Sequence, residues 1–488
     1  MSDTILSKVL EHARERPGEP ALAYGDETIS YSSLAGKVAG AAAFLRRSGV
    51  QEGDRVLLAA SSVEPAFVYG YLACHAVGAL AVPVETKIAA ARRERIAADC
   101  EPRLSFLESG SPLAQALSAL DVAPGDPGAL AAPASVRADI VYTTGSTGMP
   151  KGVIQTHAGI ASFALGRRDA IGAGAADRVV IPVPLSHGYG LCRLRASLFH
   201  GGTAILVPGF LFPRNIFNAL ERHQATGLAC VPSGFAALFQ LSGDALGAHG
   251  RSLRYVETAT APLHPAQRRR LLSLLPQARL YNTYGMTETT STIAYHPMAD
   301  DKEPEGVVGR LIAGMEARFV DAEGGEVEPG RLGDLQLRGG SVMEGYWRDE
   351  GRTRAALHGG WLRTADVGWR ESDGRLVLKG RGDDIVNIGG FKVSPTEVEI
   401  ALGEHPAIQE AACVAMRDPD GVTGEAIKAF LVPLPGAPRP SPAELTSFLA
   451  ARLEHHKIPA SFAWVEDLPR GVTGKVLRSL LRAARLRR

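Results

Sequence analysis

Tyr142-Thr-Thr-Gly-Ser-Thr-Gly-Met-Pro-Lys151-Gly152 follows directly on Asp139-Ile-Val-Tyr142, a short run that reads as a strand. Gly145 and Gly148 let the backbone approach an anion closely, because no Cβ stands in the way. The hydroxyls of Thr143, Thr144, Ser146 and Thr147 and the Lys151 ammonium supply donors around that anion. The Walker pattern is excluded, since Gly145 and Lys151 are wrongly spaced and Gly152 stands where Ser or Thr should follow the lysine. By composition the stretch is either a phosphate cradle or a hydroxyl-rich surface turn, and the surrounding sequence has to decide.

Outward from this loop, short β-rich runs alternate with helical patterns. Arg55 to Ala59, Val179 to Val183, Ala204 to Val207, Leu228 to Val231 and Leu280 to Tyr281 read as strands, with helices such as Pro213 to His223 and Pro265 to Leu275 between them. The alternation predicts an α/β protein with substantially parallel sheets, whose ligands bind beyond the carboxyl ends of the strands. Ala66 to Val84 is uncharged and long enough to span a bilayer. Gly70, His75, Gly78 and Pro83 interrupt it, so a buried helix, a turn and the core strand Leu80-Ala81-Val82 explain it better. From Gly306 the pattern becomes β-rich, with turn signals at Asp321-Ala-Glu-Gly-Gly325, Glu328-Pro-Gly330 and Asp373-Gly374. A last unit begins near Asp383, with a helix start at Ser394-Pro395, a strand at Ala411 to Ala415 and a helix around Ala443 to Leu453.

A chain of 488 residues exceeds what one core usually supports, so two or more domains are expected. With 53 basic against 52 acidic residues, bulk charge gives a nucleic-acid role no support. The run Arg478, Arg482, Arg485, Arg487 and Arg488 reads as a solvated helix end. Cys74, Cys100, Cys192, Cys230 and Cys413 have no paired spacing and read as core residues of a reducing compartment. The N-terminus lacks the pattern of a signal peptide, and a cytoplasmic protein is expected.

Three further motifs recur at strand ends and turns. Tyr281-Asn-Thr-Tyr-Gly-Met-Thr-Glu288 sets an aromatic beside a glycine, able to stack on a base, ahead of a Thr-Glu pair suited to a phosphate and Mg²⁺. Gly360-Trp-Leu-Arg-Thr-Ala-Asp366 is followed by Gly380-Arg-Gly-Asp-Asp384 and Gly389-Gly390-Phe391-Lys392. Pro469-Arg-Gly-Val-Thr-Gly-Lys475 frames a lysine with glycines near the end of the chain. Singly, each has an ordinary reading as a strand end or solvated surface.

Together, in this order, they resemble the superfamily of acyl-CoA synthetases, nonribosomal peptide adenylation domains and firefly luciferase, over nearly the whole chain from Tyr31 to Lys475. The resemblance implies a large N-terminal domain (residues 1–382) of packed parallel-rich sheets with a β-rich subdomain, and a small mobile α+β C-terminal domain (residues 383–488) hinged at Asp383. It implies that Thr143, Thr144, Gly145, Ser146, Thr147, Gly148 and Lys151 hold the β- and γ-phosphates of ATP. Tyr284 would stack on adenine, Thr287 would meet the α-phosphate, and Glu288 would bind Mg²⁺. Asp366, helped by Arg381, would hold the ribose, and Lys392 would lie near the phosphates. Lys475 would be the catalytic lysine, bridging carboxylate and α-phosphate. After rotation of the small domain, the Gly389-Gly390 loop would face an incoming thiol.

The acceptor implied is coenzyme A, with the phosphopantetheine arm of an acyl carrier protein as the alternative. Pro184-Leu-Ser-His-Gly-Tyr-Gly190 resembles the segment that places a histidine, here His187, beside the acyl pocket. Val231, Ser233, Glu257 and Thr258 are pocket candidates by position. No aspartate lies between Val183 and Ser197 to hold an α-ammonium, which disfavours α-amino acids. Arg193 and Arg195 read either as a partly exposed helix face or as partners of a second carboxylate. In Glu257-Thr-Ala-Thr-Ala-Pro262, Ala259 and Thr260 replace glycines usual in relatives at the adenine wall. A luciferase-type oxygenase would show itself by light or oxygen uptake. A non-enzymatic ATP-binding module would be favoured by degraded motifs, and Lys475, Glu288 and the hydroxyl loop are intact.

Overall fold

The computed structural model describes residues 3–59, 65–85, 88–106, 125–130, 136–144, 150–299, 306–382, 384–389, 391–419, 424–471 and 476–483. Gly145, Ser146, Thr147, Gly148, Asp383, Gly390 and Lys475 lie outside them, as do the side chains of Thr144 and Lys392.

Two sheets carry the large part of the chain. In the first, the strands Pro20–Tyr24, Thr203–Leu206, Arg178–Ile181, Gly227–Cys230, Tyr255–Thr258 and Arg279–Gly285 pair in that order, all parallel. They are short and buried on both faces, as parallel strands between helices must be. Thr292–Met298 then turns back antiparallel on Arg279–Gly285 and carries the same sheet into Val307–Leu311, Leu376–Arg381 and Trp361–Arg370. The β-rich stretch after Gly306 is therefore a continuation of the large sheet, not a separate layer. The second sheet has six strands, with Arg55–Ala59, Leu80–Val84 and Arg137–Thr144 parallel at its centre and Pro150–Thr156 returning antiparallel.

The ambiguous apolar stretch forms the helix Pro65–Ala76 and the strand Leu80–Val84, buried almost throughout. No helix among the described residues is long and apolar enough to cross a membrane. All five cysteines are free and buried. One continuous apolar core joins residues of both sheets, from Val56 and Ala81 to Val179, Tyr295 and Leu337.

The last unit has its own core, including Val398, Leu402, Ile427 and Leu445. The helix Pro395–Gly403 starts with proline at a position where its missing N–H costs nothing. It packs with the strands Ile408–Arg417, Glu425–Pro433 and Ser461–Trp464. The arginine run is only partly a solvated helix end. Arg478 forks onto the half-buried Glu399 carboxylate at 2.6 and 2.7 Å, and Arg482 meets Asp384 at 2.5 Å. Both are structural ion pairs within this unit, while Arg485, Arg487 and Arg488 lie outside the described residues.

Candidate functional site

The strands Arg137–Thr144 and Pro150–Thr156 form the two sides of the hydroxyl-rich loop, with Thr143 opposite Lys151 and Tyr142 opposite Gly152. Gly152 has a steric reason: a Cβ there would stand 2.8 Å from Ile140 and 3.1 Å from both Tyr142 and Trp347. Its carbonyl accepts from the Trp347 N–H at 2.7 Å, which draws the next chain segment alongside. Tyr346 thereby comes under Lys151, whose Nζ lies 5.8 Å from the ring centroid. The Tyr346 hydroxyl donates to Glu288 Oε1 at 2.9 Å. The loop lysine, an aromatic hydroxyl and the acid of a distant motif are thus gathered in one place.

Glu288 sits on the single 3₁₀ turn Thr287–Thr289, just past the end of Arg279–Gly285. Gly285 is obligatory here, since a Cβ would fall 2.0 Å from the Ser291 carbonyl oxygen. Thr290, which closes the turn, is a non-glycine residue at φ 62°. Such a conformation costs on the order of 1–3 kcal/mol and persists only where its surroundings hold it. Here the Thr290 hydroxyl donates to Ser341 O at 2.7 Å, and its carbonyl accepts from Gln155 Nε2 at 3.3 Å.

Four residues earlier in the same segment, the Tyr284 hydroxyl donates to Asp366 Oδ2 at 2.5 Å. Burial, reinforced by the Asp366 charge, pushes the Tyr284 phenol well above its usual range, so it remains a donor. Asp366 pairs in register with Arg381, whose guanidinium lies 3.7 Å from the carboxylate. Tyr284, Asp366 and Arg381 are therefore contiguous, although they come from three strands.

The candidate acyl residues adjoin this segment. A Cβ at Gly188 would lie 3.6 Å from Thr287 Oγ1, so the start of the helix Gly188–His200 abuts the Thr-Glu turn. His187 precedes that helix without capping it, and its Nε2 is buried with no hydrogen-bond partner. Burial holds its pKa below the usual value, which keeps the ring neutral near pH 7. Val231 is buried at the start of the helix Pro232–Ser242 and Ser233 is half-buried. Thr258 ends its strand fully buried, its hydroxyl without a partner.

Glu257 is placed differently from a free pocket acid. Its carboxylate takes Arg167 at 2.7 Å and Arg193 at 3.2 Å, all three buried. The partly exposed helix face expected for Arg193 and Arg195 is overturned, because both are at most 1% exposed. Arg193 is enclosed by Tyr189, Phe163 and Tyr295, and Arg195 is bound to Asp139, Tyr71 and Gln155. Neither arrangement has a short-range sequence signal. Tyr346 also escaped the motif reading, since its only mark is a position after Gly345 in a two-residue strand.

Among the described residues, no group of three or more His, Cys, Asp or Glu could cage a metal. Glu288 alone, with one oxygen bound by Tyr346, fits Mg²⁺ of the sort that keeps its waters and arrives on a nucleotide's phosphates.

The α/β fold, the contiguous Tyr284–Asp366–Arg381 group and Glu288 beside Tyr346 are an arrangement of the adenylate-forming class. The chain belongs to the AMP-binding enzyme family: that family's model matches residues 9–347, and its C-terminal domain model matches residues 397–475. It is 30% identical to an indoleacetate–CoA ligase of Aromatoleum aromaticum, over 96% of each chain. It is 29% identical to a fatty acid–[acyl-carrier-protein] ligase of Streptomyces coeruleorubidus, over 98% of this chain and 96% of that one. The crystal structure of ATP-bound MatB from Rhodopseudomonas palustris superposes with a TM-score of 0.89 and 27% identity, over 99% of each chain. The sequence reading as an ATP-dependent, AMP-forming acid–thiol ligase stands.

Proposed function

We propose that the chain condenses a small-molecule carboxylic acid with ATP to give acyl-AMP and pyrophosphate, and then transfers the acyl group to coenzyme A. The observation that carries this is the convergence on one segment, Tyr284–Glu288. Tyr284 joins the Asp366–Arg381 pair, Glu288 joins Tyr346 and Lys151, and Thr287 touches the start of the His187 helix. A nucleoside, its phosphates and an acyl carboxylate would then lie in line along the five residues Tyr284–Glu288.

In this reading Tyr284 faces adenine, while Asp366 and Arg381 face the ribose. Thr287 meets the α-phosphate, and Lys151 with the loop Thr143–Lys151 takes the β- and γ-phosphates. Mg²⁺ bound at Glu288 would neutralise charge on the phosphates. The carboxylate of the acid must approach a polyanion, so cations set around the α-phosphorus lower the barrier chiefly by electrostatics and positioning. Lys475 is the residue assigned to bridge the two reacting anions, and Lys392 adds positive charge nearby. The division into residues 1–382 and 383–488, hinged at Asp383, gives the second step its motion. Withdrawal of Lys475 would bring Gly389 and Gly390 to the thiol channel.

His187, Val231, Ser233 and Thr258 would line the acyl pocket. Glu257 cannot hold an α-ammonium, because two guanidinium groups already share its carboxylate. An acid without an α-amino group therefore fits best. A carrier-protein phosphopantetheine is the second acceptor to test, given the acyl-carrier-protein ligase among the relatives.

The test is incubation with ATP, Mg²⁺ and a panel of short, long, aromatic and dicarboxylic acids, with and without coenzyme A, read by mass spectrometry. Acyl-CoA from one class of acid supports the reading. Acyl-AMP without acyl-CoA redirects the second step to a carrier protein. Neither product from folded protein, across the panel, would overturn it.

A further inference from the structure

Beneath the Thr-Glu turn runs a chain of buried polar groups to which the proposed chemistry assigns no part. Asp139 and Gln155 are cross-strand partners on the two sides of the hydroxyl-loop hairpin, and both are fully buried. Between them reaches Arg195, from the helix that starts at Gly188. Its Nη2 donates to Asp139 Oδ2 at 2.5 Å, its Nε to the Tyr71 hydroxyl at 2.9 Å and its Nη1 to Gln155 Oε1 at 2.8 Å. Asp139 also accepts from Tyr71 at 3.0 Å and faces His75 Nε2 at 3.1 Å. The carboxylate is thus satisfied on both oxygens, which a buried charge requires.

The far end of this chain matters most. With its oxygen held by Arg195, the Gln155 amide has one orientation, and its Nε2 donates to Thr287 O at 2.9 Å and Thr290 O at 3.3 Å. Those two carbonyls bracket Glu288. A single 3₁₀ turn has almost no stability of its own, and this one ends on a residue in the left-handed region. Its position is therefore set from outside: by Gln155 from below, by Tyr346 at the Glu288 carboxylate, and by the Ser341–Met343 segment, whose Met343 N–H donates to Glu288 O at 2.8 Å.

We infer that Gln155, oriented by Arg195 and Asp139, is a positioning residue that fixes the Thr287–Glu288 turn relative to the phosphate-loop hairpin and the His187 helix. This rests on the reading of Glu288 as the carboxylate that faces nucleotide-bound magnesium. Arg195 ties the helix that starts at Gly188 to both strands of the phosphate-loop hairpin and, through Gln155, to the turn, so a shift of one is resisted by the others.

The test compares wild type, Gln155→Met, Glu288→Gln and the double variant in the full-length protein. Two readouts are taken: the adenylation half-reaction, and calorimetric binding of magnesium with α,β-methylene ATP, which cannot react. Groups that orient a metal-facing ligand typically contribute about 10–100-fold to affinity or activity. Gln155→Met is expected to lose about that factor in analogue affinity and adenylation rate, with the KM for the acid changed less than about twofold. In the Glu288→Gln background the same change should cost much less, because the group it positions is gone. Should Gln155→Met fail to fold, Gln155→Glu keeps the acceptor for Arg195, removes the donors and carries the same expectations. Additive losses in the double variant, or wild-type analogue binding by the Gln155 variant, would overturn the inference. An unaffected Glu288→Gln enzyme would instead overturn the underlying site reading.

Discussion

Thr260 is the one place in the adenine-side segment where backbone and residue disagree. It stands at φ 76° with its side chain exposed, where the sequence resemblance leads one to expect glycine. A β-branched residue in this region is strained, while glycine there costs more chain entropy on folding. The strain exceeds the entropy term, so Thr260→Gly should stabilise the protein by about 0.5–1 kcal/mol, measured by urea unfolding. A loss of stability would mean that the threonine makes compensating contacts. Charge balance decides a second case. One carboxylate, Glu257, neutralises both Arg167 and Arg193. Glu257→Gln therefore leaves two buried guanidinium groups short of a counter-ion, and should cost about 3–5 kcal/mol in the same assay. Arg193→Met leaves Glu257 paired to Arg167 and should cost distinctly less. Equal losses would show that packing against Tyr189 and Phe163, not charge, holds this cluster.

The turn at the end of Arg279–Gly285 shows how one position controls an element. Gly285→Ala would set a Cβ 2.0 Å from the Ser291 carbonyl, so the strand and the following turn must part. Tyr284 and Glu288 would move relative to each other, and a misplacement of about 1 Å costs about 10²-fold in rate. We expect that loss in pyrophosphate release together with a lowered melting temperature, since Thr289, Thr290, Ser291 and Thr292 against the turn are buried. Elements of this kind were legible because their signals are local. Proline at the first helical position marks Pro213–Arg222 and Pro265–Leu274, and the structure shortens each expected helix by one residue at its frayed end. The Tyr-Gly-Met-Thr-Glu motif, placed at a strand end as expected, was legible for the same reason. Arg193, Arg195, Asp139 and Gln155 were not. Arg195 finds Asp139 56 residues away and Tyr71 124 residues away, so nothing near it in sequence says that its charge is matched. Continuity of the large sheet through Thr292–Met298 was hidden likewise, because pairing between distant strands leaves no periodic trace in either.

At the scale of the molecule, two behaviours follow from how the parts are joined. The small unit touches the large one through Ser394, whose hydroxyl donates to Lys379 O at 2.5 Å, close to the proposed hinge. Asp383→Pro would fix a backbone angle there, and should impair thioester formation more than adenylation in separate half-reaction assays; equal impairment would count against a hinge at that residue. The second behaviour concerns acid. Burial holds His157 down to about 3 in the folded protein, against an ordinary value of 6.5. Burial likewise lowers His187, His200 and His264. A histidine kept neutral by folding takes up its proton only on unfolding, so the unfolded chain binds more protons whenever the pH lies below 6.5. Stability is then flat above that value and falls as the pH drops from it towards the folded pKa. Each such histidine contributes a slope of at most about 1.4 kcal/mol per pH unit. Asp139 and Glu257, whose folded pKa values are depressed by their arginine partners against the opposing cost of burial, add nothing in this window. Their contribution is present above the ordinary carboxylate range and is lost only at lower pH. Urea unfolding at pH 7.5, 6.5 and 5.5 should therefore show little change over the first step and a marked loss over the second. His157→Asn should reduce the slope of the second step whatever it does to absolute stability. An unchanged slope would mean that His157 is protonated in the folded protein, its charge held by the Asp139 carboxylate against the cost of burial.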